Sequence, residues 1–487
     1  MASLDKDVSK INEIIEKSTI IEERNPARYR LKLITHDLGQ SKPYRNITFG
    51  ERDSKKPHKT ILMVGETGTG KTTLINAMTN YMLGVQREDK VWFEITDDQS
   101  NRKDHSPTTI ITVYGVYDQK SPDDLTIIDT PGYGNTRGIS FDKEIAMNLL
   151  RLSKDGLHEV DAVCLVVDAS QTRLSDRQIY IFDAVQSLFG RDIAENIVLI
   201  FTHSTGAHPK NVLTAVKEAK IKCAVNEQNQ PVFFLHSEMM RFFKFLENIK
   251  PKTLKMTQEV LQKREQLEAN VSNLQLRVQV MEQKQNELKQ TQAALEENKK
   301  YVEDNKNFEY EVEVSYKLTK EATCCPVCEE NCHYPGCWWV RDLSWCSVMK
   351  DYHCTVCTNK CHYSEHVKEA KIYVAKKKKE KRTYEDLKKK YDWKIGGDES
   401  LVKKLEKELQ ELEREKKNLL NEAFHCVENL EKIALNTDSV FTLLHIDFLI
   451  EKLKEINEPQ KAEILENIKK RAGVENTGAL GYITYFR

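Results

Sequence analysis

The sequence predicts an α/β domain, a mostly parallel sheet with helices on both faces. An antiparallel α-helical coiled-coil arm follows it and carries a small β-rich, cysteine-dense tip. Three observations predict this. Short β-branched runs alternate with helical patterns over residues 59–250, as crossovers between parallel strands require. Two later stretches place apolar residues seven apart, the repeat of a coiled-coil seam. Between those stretches lie most of the 12 cysteines. The 487 residues suit about three structural units. Lys and Arg number 74 and Asp and Glu 75, for a net charge of -1. That balance excludes a global polyanion-binding surface and leaves only local basic patches. Apolar runs such as Ala162–Val167 and Ile197–Phe201 fall far short of the ~20 residues of a membrane span. Met1–Lys10 carries Asp5 and Asp7 and has no apolar stretch of a leader. The expectation is a cytoplasmic chain with no transmembrane span.

Composition changes near residues 58, 251, 307, 397 and 437. Six segments follow: a flanking segment over 1–58, the α/β domain over 59–250, a first long helix over 251–306, a β-strand and Cys/His-rich module over 307–397, a second long helix over 398–436, and a helical segment over 437–487. Within the α/β domain the strands expected are Thr60–Val64, Ile110–Tyr117, Leu125–Ile128, Ala162–Val167, Ile197–Phe201 and Val232–Leu235. Helices fit Thr72–Leu83, Asp142–Leu152, Ser175–Leu188 and Pro209–Glu227.

The first seam runs Val260, Leu267, Leu274, Met281, Leu288, Leu295 and Val302, with Val271 and Val278 at the alternate position. The second runs Val402, Leu405, Leu409, Leu412, Leu419, Ala423, Cys426, Leu430 and Ile433. Two such helices either pair back-to-back as a hairpin with the insert at its far tip, or dimerise separately with another copy. The hairpin is the simpler arrangement.

Gly65-Glu66-Thr67-Gly68-Thr69-Gly70-Lys71-Thr72 fits G-x-x-x-x-G-K-[ST] between an apolar strand and a helix. Glycines let the backbone wrap phosphates, and amides at the helix start supply the positive ends. Lys71 would reach the β- and γ-phosphates, and the Thr72 hydroxyl, followed by Thr73, would ligate Mg²⁺. Asp129-Thr130-Pro131-Gly132 follows the strand Leu125–Ile128. Asp129 would hold Mg²⁺ through water, and the Gly132 amide would sense the γ-phosphate. Between the two motifs, Thr108 and Thr109 precede a strand, as a switch threonine should.

Residues Gly65–Thr72, Asp129–Gly132 and the strand order over 59–250 resemble the septin-like P-loop GTPases. Within that group they are most similar to the immunity-associated (GIMAP) and chloroplast import-receptor (Toc) GTPases. The resemblance implies a Ras-like core, GTP with Mg²⁺, and a homodimer through the nucleotide face. In such domains an Asn/Thr-Lys-x-Asp motif reads guanine, whereas here Thr202-His203-Ser204-Thr205 stands in its place. The resemblance makes Thr202 and His203 base-side residues, with His203 stacking on the base. A hydroxyl at Thr205 lacks the two-bond grip of a carboxylate, and Glu238 or His236 would read the base instead. The position that holds a water-orienting glutamine in small GTPases is Tyr133. The resemblance makes Arg173 a finger supplied in trans, completing a catalytic set of Lys71, Thr72, Thr109, Gly132 and Arg173.

Residues 325–363 contain a repeat. Cys325-x2-Cys328-x3-Cys332-His333 recurs as Cys354-x2-Cys357-x3-Cys361-His362, with Cys337 and Cys346 between the copies and His366 after them. Such knuckles present thiolates to tetrahedral Zn²⁺ at about 2.3 Å. The donors Cys325, Cys328, Cys332, His333, Cys337, Cys346, Cys354, Cys357, Cys361 and His366 suffice for two structural sites, sequential or interleaved. A redox dithiol pair is the alternative, which the duplicated third Cys and the flanking His disfavour. A basic run over 376–390 would meet an acidic surface or form a solvated strand edge. The reading that unites these parts is a GTPase that switches or dimerises and presents a zinc-stabilised arm to a protein partner. Its rival is a nucleotide-binding scaffold that does not hydrolyse, whose arm recognises protein or nucleic acid.

Overall fold

The computed structural model describes residues 10–36, 44–96, 110–119, 121–134, 139–170, 175–204, 206, 208–297, 309–318, 322–328, 330–333, 343–346, 348–369, 372–383, 385 and 401–472. They divide into two compact units, one of residues 1–261, 431–443 and 469–487, the other of residues 262–430 and 444–468.

The first unit is built on an eight-stranded sheet. Its strands are β1 (Ile34–His36), β2 (Tyr44–Gly50), β3 (His58–Gly65), β4 (Ile111–Tyr117), β5 (Asp124–Asp129), β6 (Ala162–Asp168), β7 (Ile197–Thr202) and β8 (Phe233–Leu235). The spatial order is β8-β7-β6-β3-β5-β4-β2-β1. Strands β8, β7, β6, β3 and β5 run parallel, and β4 is antiparallel to β5. This is the Ras-like order that the resemblance implies, with β2 and β1 added at one edge. Strand β2 pairs with β4 from Tyr44–Ile111 to Gly50–Tyr117, so residues ahead of 59 belong to the sheet.

The central strands are buried on both faces: Ile61, Leu62, Met63 and Val64 have no exposed area. That two-sided burial produces the unbroken β-branched runs read from the sequence. Helices α1 (Lys71–Leu83), α2 (Ile139–Lys154), α3 (Asp176–Gln186), α4 (Lys210–Glu218) and α5 (Met239–Asn248) cover the faces. Ile61 and Met63 share a core with Leu74, Ile75 and Met78 of α1. Helix α4 ends at Glu218, short of the expected Glu227. Lys220 takes a left-handed conformation there, φ 49°, and Val225 bridges back to Pro231.

Helix α6 (Lys255–Glu297) has 43 residues and α7 (Leu401–Ile433) has 33. Seam residues Leu267, Val271, Leu274 and Met281 of α6 are buried, as are Leu419, Ala423, Cys426 and Leu430 of α7. Leu295 and Leu405 have side chains outside the described set, and Val302 lies outside the described residues. Two further helices, α8 (Val440–Glu455) and α9 (Pro459–Ala472), follow.

In the second unit, strands Glu309–Leu318 and Ile372–Thr383 form an antiparallel ribbon that sets Glu313 opposite Lys379 and Glu311 opposite Lys381. The Cys/His module then packs near the start of α6. His333 Nε2 lies 3.2 Å from Glu265, and Ala269 joins the cysteine core. Arithmetic explains this departure from a far-tip placement. Ala269 is about 40 Å of helix back from Glu297, and a ten-residue strand spans about 33 Å. A ribbon of that length is long enough to bring the module back to this level of the helix.

Candidate functional site

Strand β3 ends in Gly65 at the point where its neighbours β5 and β6 lie to either side, the switch point at which open α/β sheets bind ligands. Gly65, Gly68 and Gly70 have φ of 150°, 88° and 84°, values that turn the chain into a loop opening onto α1. No acidic residue occupies the first turn of α1, so the positive end of that helix is left uncompensated. Glu66, Thr67 and Thr72 are partly buried, Thr69 is buried, and Gly68 and Thr73 are exposed.

The Asp129–Gly132 turn is fastened onto this loop. Tyr133 N donates to Gly65 O at 3.1 Å, and Thr67 N donates to Tyr133 O at 3.3 Å. The Thr67 hydroxyl donates to Gly132 O at 3.1 Å. A Cβ added to Gly132 would sit 2.4 Å from Thr67 Oγ1 and 2.6 Å from Thr67 N, so only glycine allows the approach. Tyr133 is 1% exposed. The side chain at the glutamine position is therefore closed off from solvent.

Lys71 is buried and donates to the carbonyls of Gly65 at 3.1 Å and Glu66 at 2.9 Å. Burial lowers its pKa to about 8 against the pull of Asp129 and Glu66. Burial likewise raises the Asp129 carboxyl to about 7, opposed by Lys71. Desolvation outweighs the mutual attraction of the pair, so each is pushed toward neutrality. Asp129 Oδ1 is buried without a hydrogen-bond partner. An unsatisfied carboxylate oxygen beside a buried ammonium fits a cation and polyanion better than it fits a closed core.

Thr202 donates its hydroxyl to Thr69 O at 2.6 Å, which ties the end of β7 to the Gly65–Thr72 loop. His203 is exposed in a left-handed conformation, φ 51°. Glu238 accepts from Leu235 N at 2.9 Å and pairs with Arg241 at 3.0 Å, which engages both carboxylate oxygens. His236 is exposed. Thr108, Thr109, Arg173 and Thr205 lie outside the described residues.

Arg177, the second residue of α3, is the residue that sequence reasoning missed. Its Nη2 lies 3.2 Å from Glu66 Oε1 and donates to Gly134 O at 2.8 Å. Asp142 of α2 accepts from Gly134 N at 3.2 Å and from the Tyr180 hydroxyl at 2.8 Å. Two helices thus clamp the turn that follows Asp129. The only sequence signal was the capping box Ser175/Gln178 that starts α3.

The cysteine module gathers two quartets. One is Cys325, Cys328, Cys357 and Cys361; the other is Cys332, Cys354, Cys357 and His366. The knuckles are therefore interleaved. Amides aim at the sulfurs: Cys328 N at Cys325 Sγ, Cys357 N at Cys354 Sγ and Cys361 N at Cys357 Sγ, at 3.4, 3.3 and 3.2 Å. The neighbouring Cys332 and Cys357 thiols, with the amides of Cys357 and Val356, push the Cys354 thiol well below the usual range. His333 and Cys346 lie 3.2 Å apart, outside both quartets, and Cys337 lies outside the described residues. The clusters can hold zinc.

Residues 59–294 match the sequence profile described as the AIG1 family. The chain is 27% identical over 151 residues to immune-associated nucleotide-binding protein 9 of Arabidopsis thaliana, covering 31% of this chain and 38% of that protein. It is 29% identical over 150 residues to protein 4 of the same series, covering 31% and 40%. The match thus spans well under half the length of these relatives. Among solved structures, Arabidopsis Toc33 in complex with Mg²⁺ and GMPPNP is 17% identical, covering 38% of this chain and 72% of that one at a TM-score of 0.25. No helix among the described residues is long and apolar enough to cross a membrane.

Proposed function

We propose, from the premise that residues 59–294 form an AIG1 family domain, that the chain binds GTP with Mg²⁺ and hydrolyses it slowly, changing its assembly or partner contacts with nucleotide state. One observation carries the reading. The Asp129–Gly132 turn is closed onto the Gly65–Thr72 loop at a distance only glycine permits, with Lys71 and an unsatisfied Asp129 oxygen buried behind it. A nucleotide that lengthens or breaks this junction is read directly by the turn.

In this reading the loop amides and Lys71 hold the phosphates. Thr72 and Asp129 hold the cation, which would neutralise charge developing on the transferred phosphoryl group. Thr202 fixes the loop through Thr69 O, and His203 faces the base. Because Tyr133 is buried, the chain does not place a side chain from that position on an attacking water. Arg173 of a second copy, with Thr108 or Thr109 of the switch loop, would complete the site. The long helices and their cysteine module, held by structural zinc, are the partner-facing part. The basic run over 376–390 is the segment suited to an acidic surface.

The test is phosphate release from GTP over a range of protein concentrations, beside Lys71→Ala, with titration of GTP and ATP. Mg²⁺-dependent release that rises per chain with concentration supports the reading. No heat with any purine triphosphate overturns it. Binding without release favours the second reading, a non-hydrolysing scaffold, to which the buried Tyr133 lends weight.

A further inference from the structure

The two quartets have an unequal bookkeeping of donors. Seven residues fill eight tetrahedral positions because Cys357 stands in both. Within each quartet all donor atoms lie within 4.8 Å of one another. Cys328 Sγ and Cys361 Sγ are 3.6 Å apart, close to the ~3.8 Å edge of a tetrahedron with 2.3 Å metal–sulfur bonds. His366 is oriented for ligation. Its Nδ1 meets His362 O at 3.0 Å, which leaves Nε2 as the free lone pair, and Nε2 is buried without a hydrogen-bond partner. Metal-bound histidines are held by this outer contact. None of the cysteines of the two quartets is in a disulfide.

We propose that the module holds two divalent, zinc-class cations that share the Cys357 thiolate, forming one dinuclear cluster rather than two separate knuckles. The first ion has four sulfur ligands; the second has three sulfurs and His366 Nε2. A thiolate has lone pairs enough for both ions, and the amide of Cys361 points at the same sulfur at 3.2 Å, spreading its charge further. Sharing explains why the two repeats are interleaved. Each knuckle must contribute to both ions, so neither repeat can fold around metal alone. Cys346, buried beside His333, is not a ligand. The proposal rests on the zinc reading given above.

The experiment uses the full-length chain loaded with ¹¹³Cd²⁺, with metal counted per chain. Expected are two bound ions and two ¹¹³Cd resonances, one all-sulfur and one with a nitrogen ligand, split by mutual scalar coupling through the shared sulfur. His366→Ala should shift the nitrogen-ligated resonance far more than the other. Cys357→Ala should abolish the coupling and lower the metal count, whereas Cys346→Ala should keep two coupled ions. Two ions without coupling, or one ion, would overturn the shared thiolate and leave zinc binding standing. No bound metal in the untreated or reconstituted chain would overturn both.

Discussion

In the proposed function, the phosphate loop and the cysteine quartets solve the same problem, holding charge, by opposite means. The loop is backbone, shaped by three glycines at positive φ and backed by a core that includes Ile61, Met63, Leu74, Ile75 and Met78. The quartets are side chains, and their surrounding core consists mainly of the cysteines themselves, with Val348, Met349, Val356 and Ala269. A backbone site with a large core is shaped before its ligand arrives. A side-chain site without one depends on its ligand for shape.

Metal removal is the sharpest way to break that comparison. Chelation should collapse the cysteine module, since structural zinc supplies on the order of 10 kcal/mol of folding free energy in small domains. The nucleotide affinity of the α/β unit should stay within a factor of about two. Hydrogen exchange over residues 322–369, read beside GTP titration, checks both halves. Protection that persists after chelation would place the two sites on an equal footing.

Next in size is Lys71→Ala. Loss of a charge-assisted contact to phosphate of about 3 kcal/mol corresponds to roughly 100-fold weaker GTP binding. Calorimetric titration reads it directly. Gly132→Ala should cost about 2 kcal/mol of stability by overpacking against Thr67. Gly68→Ala, where an added Cβ meets nothing within 4 Å, should cost only the left-handed penalty of about 1 kcal/mol. Denaturant unfolding of the two variants ranks them; the reverse order would mean that the turn is not locked onto the loop.

The asymmetry between the sites also governs what the sequence made legible. Glycine spacing prescribes a backbone path, so the loop and the six strands around it were readable from β-branched runs. Cysteine spacing names donors but not their pairing, because interleaving is set by how two knuckles meet in space. Strand β2 escaped notice because only Ile47 and Phe49 show the two-residue period, too brief to stand out beside a Pro- and Lys-containing stretch. Arg177 escaped because an arginine in the first turn of a helix reads as solvated until the fold brings Glu66 to it. The far-tip placement failed because the length of the returning ribbon has no periodic signature. The base-side residues were the least legible, as hydroxyls and histidines at exposed loops carry no spacing rule.

A smaller effect tests the clamp on the turn through pH. Burial raises the Asp142 carboxyl from the usual 3.8 to about 6, against the pull of the Tyr180 hydroxyl, the Gly134 amide and Arg177. The folded state therefore binds this proton more tightly than the unfolded chain. The contribution is complete below about pH 4 and is lost as pH rises through 6. Between pH 7 and pH 5 the parent should gain about 1 kcal/mol relative to Asp142→Asn. Parallel unfolding curves for parent and variant at the two pH values would remove Asp142 as the titrating group.

The smallest effect belongs to Arg177, and it tests whether side chains matter at the backbone-built site at all. The guanidinium is 43% exposed and Glu66 18%, so the pair is screened and worth about 0.5 kcal/mol to stability. Its geometry matters more than its energy. One nitrogen meets both Glu66 on the loop and Gly134 after the turn, linking the two halves of the junction that the proposed function has nucleotide move. Arg177→Ala should therefore leave unfolding within about 0.5 kcal/mol of the parent and shift the ratio of GTP to GDP affinity by about twofold. Glu66→Gln should shift that ratio the same way. If both variants leave the ratio untouched, the junction is carried by Gly132, Thr67 and Tyr133 alone, and the backbone accounts for the whole of the nucleotide response.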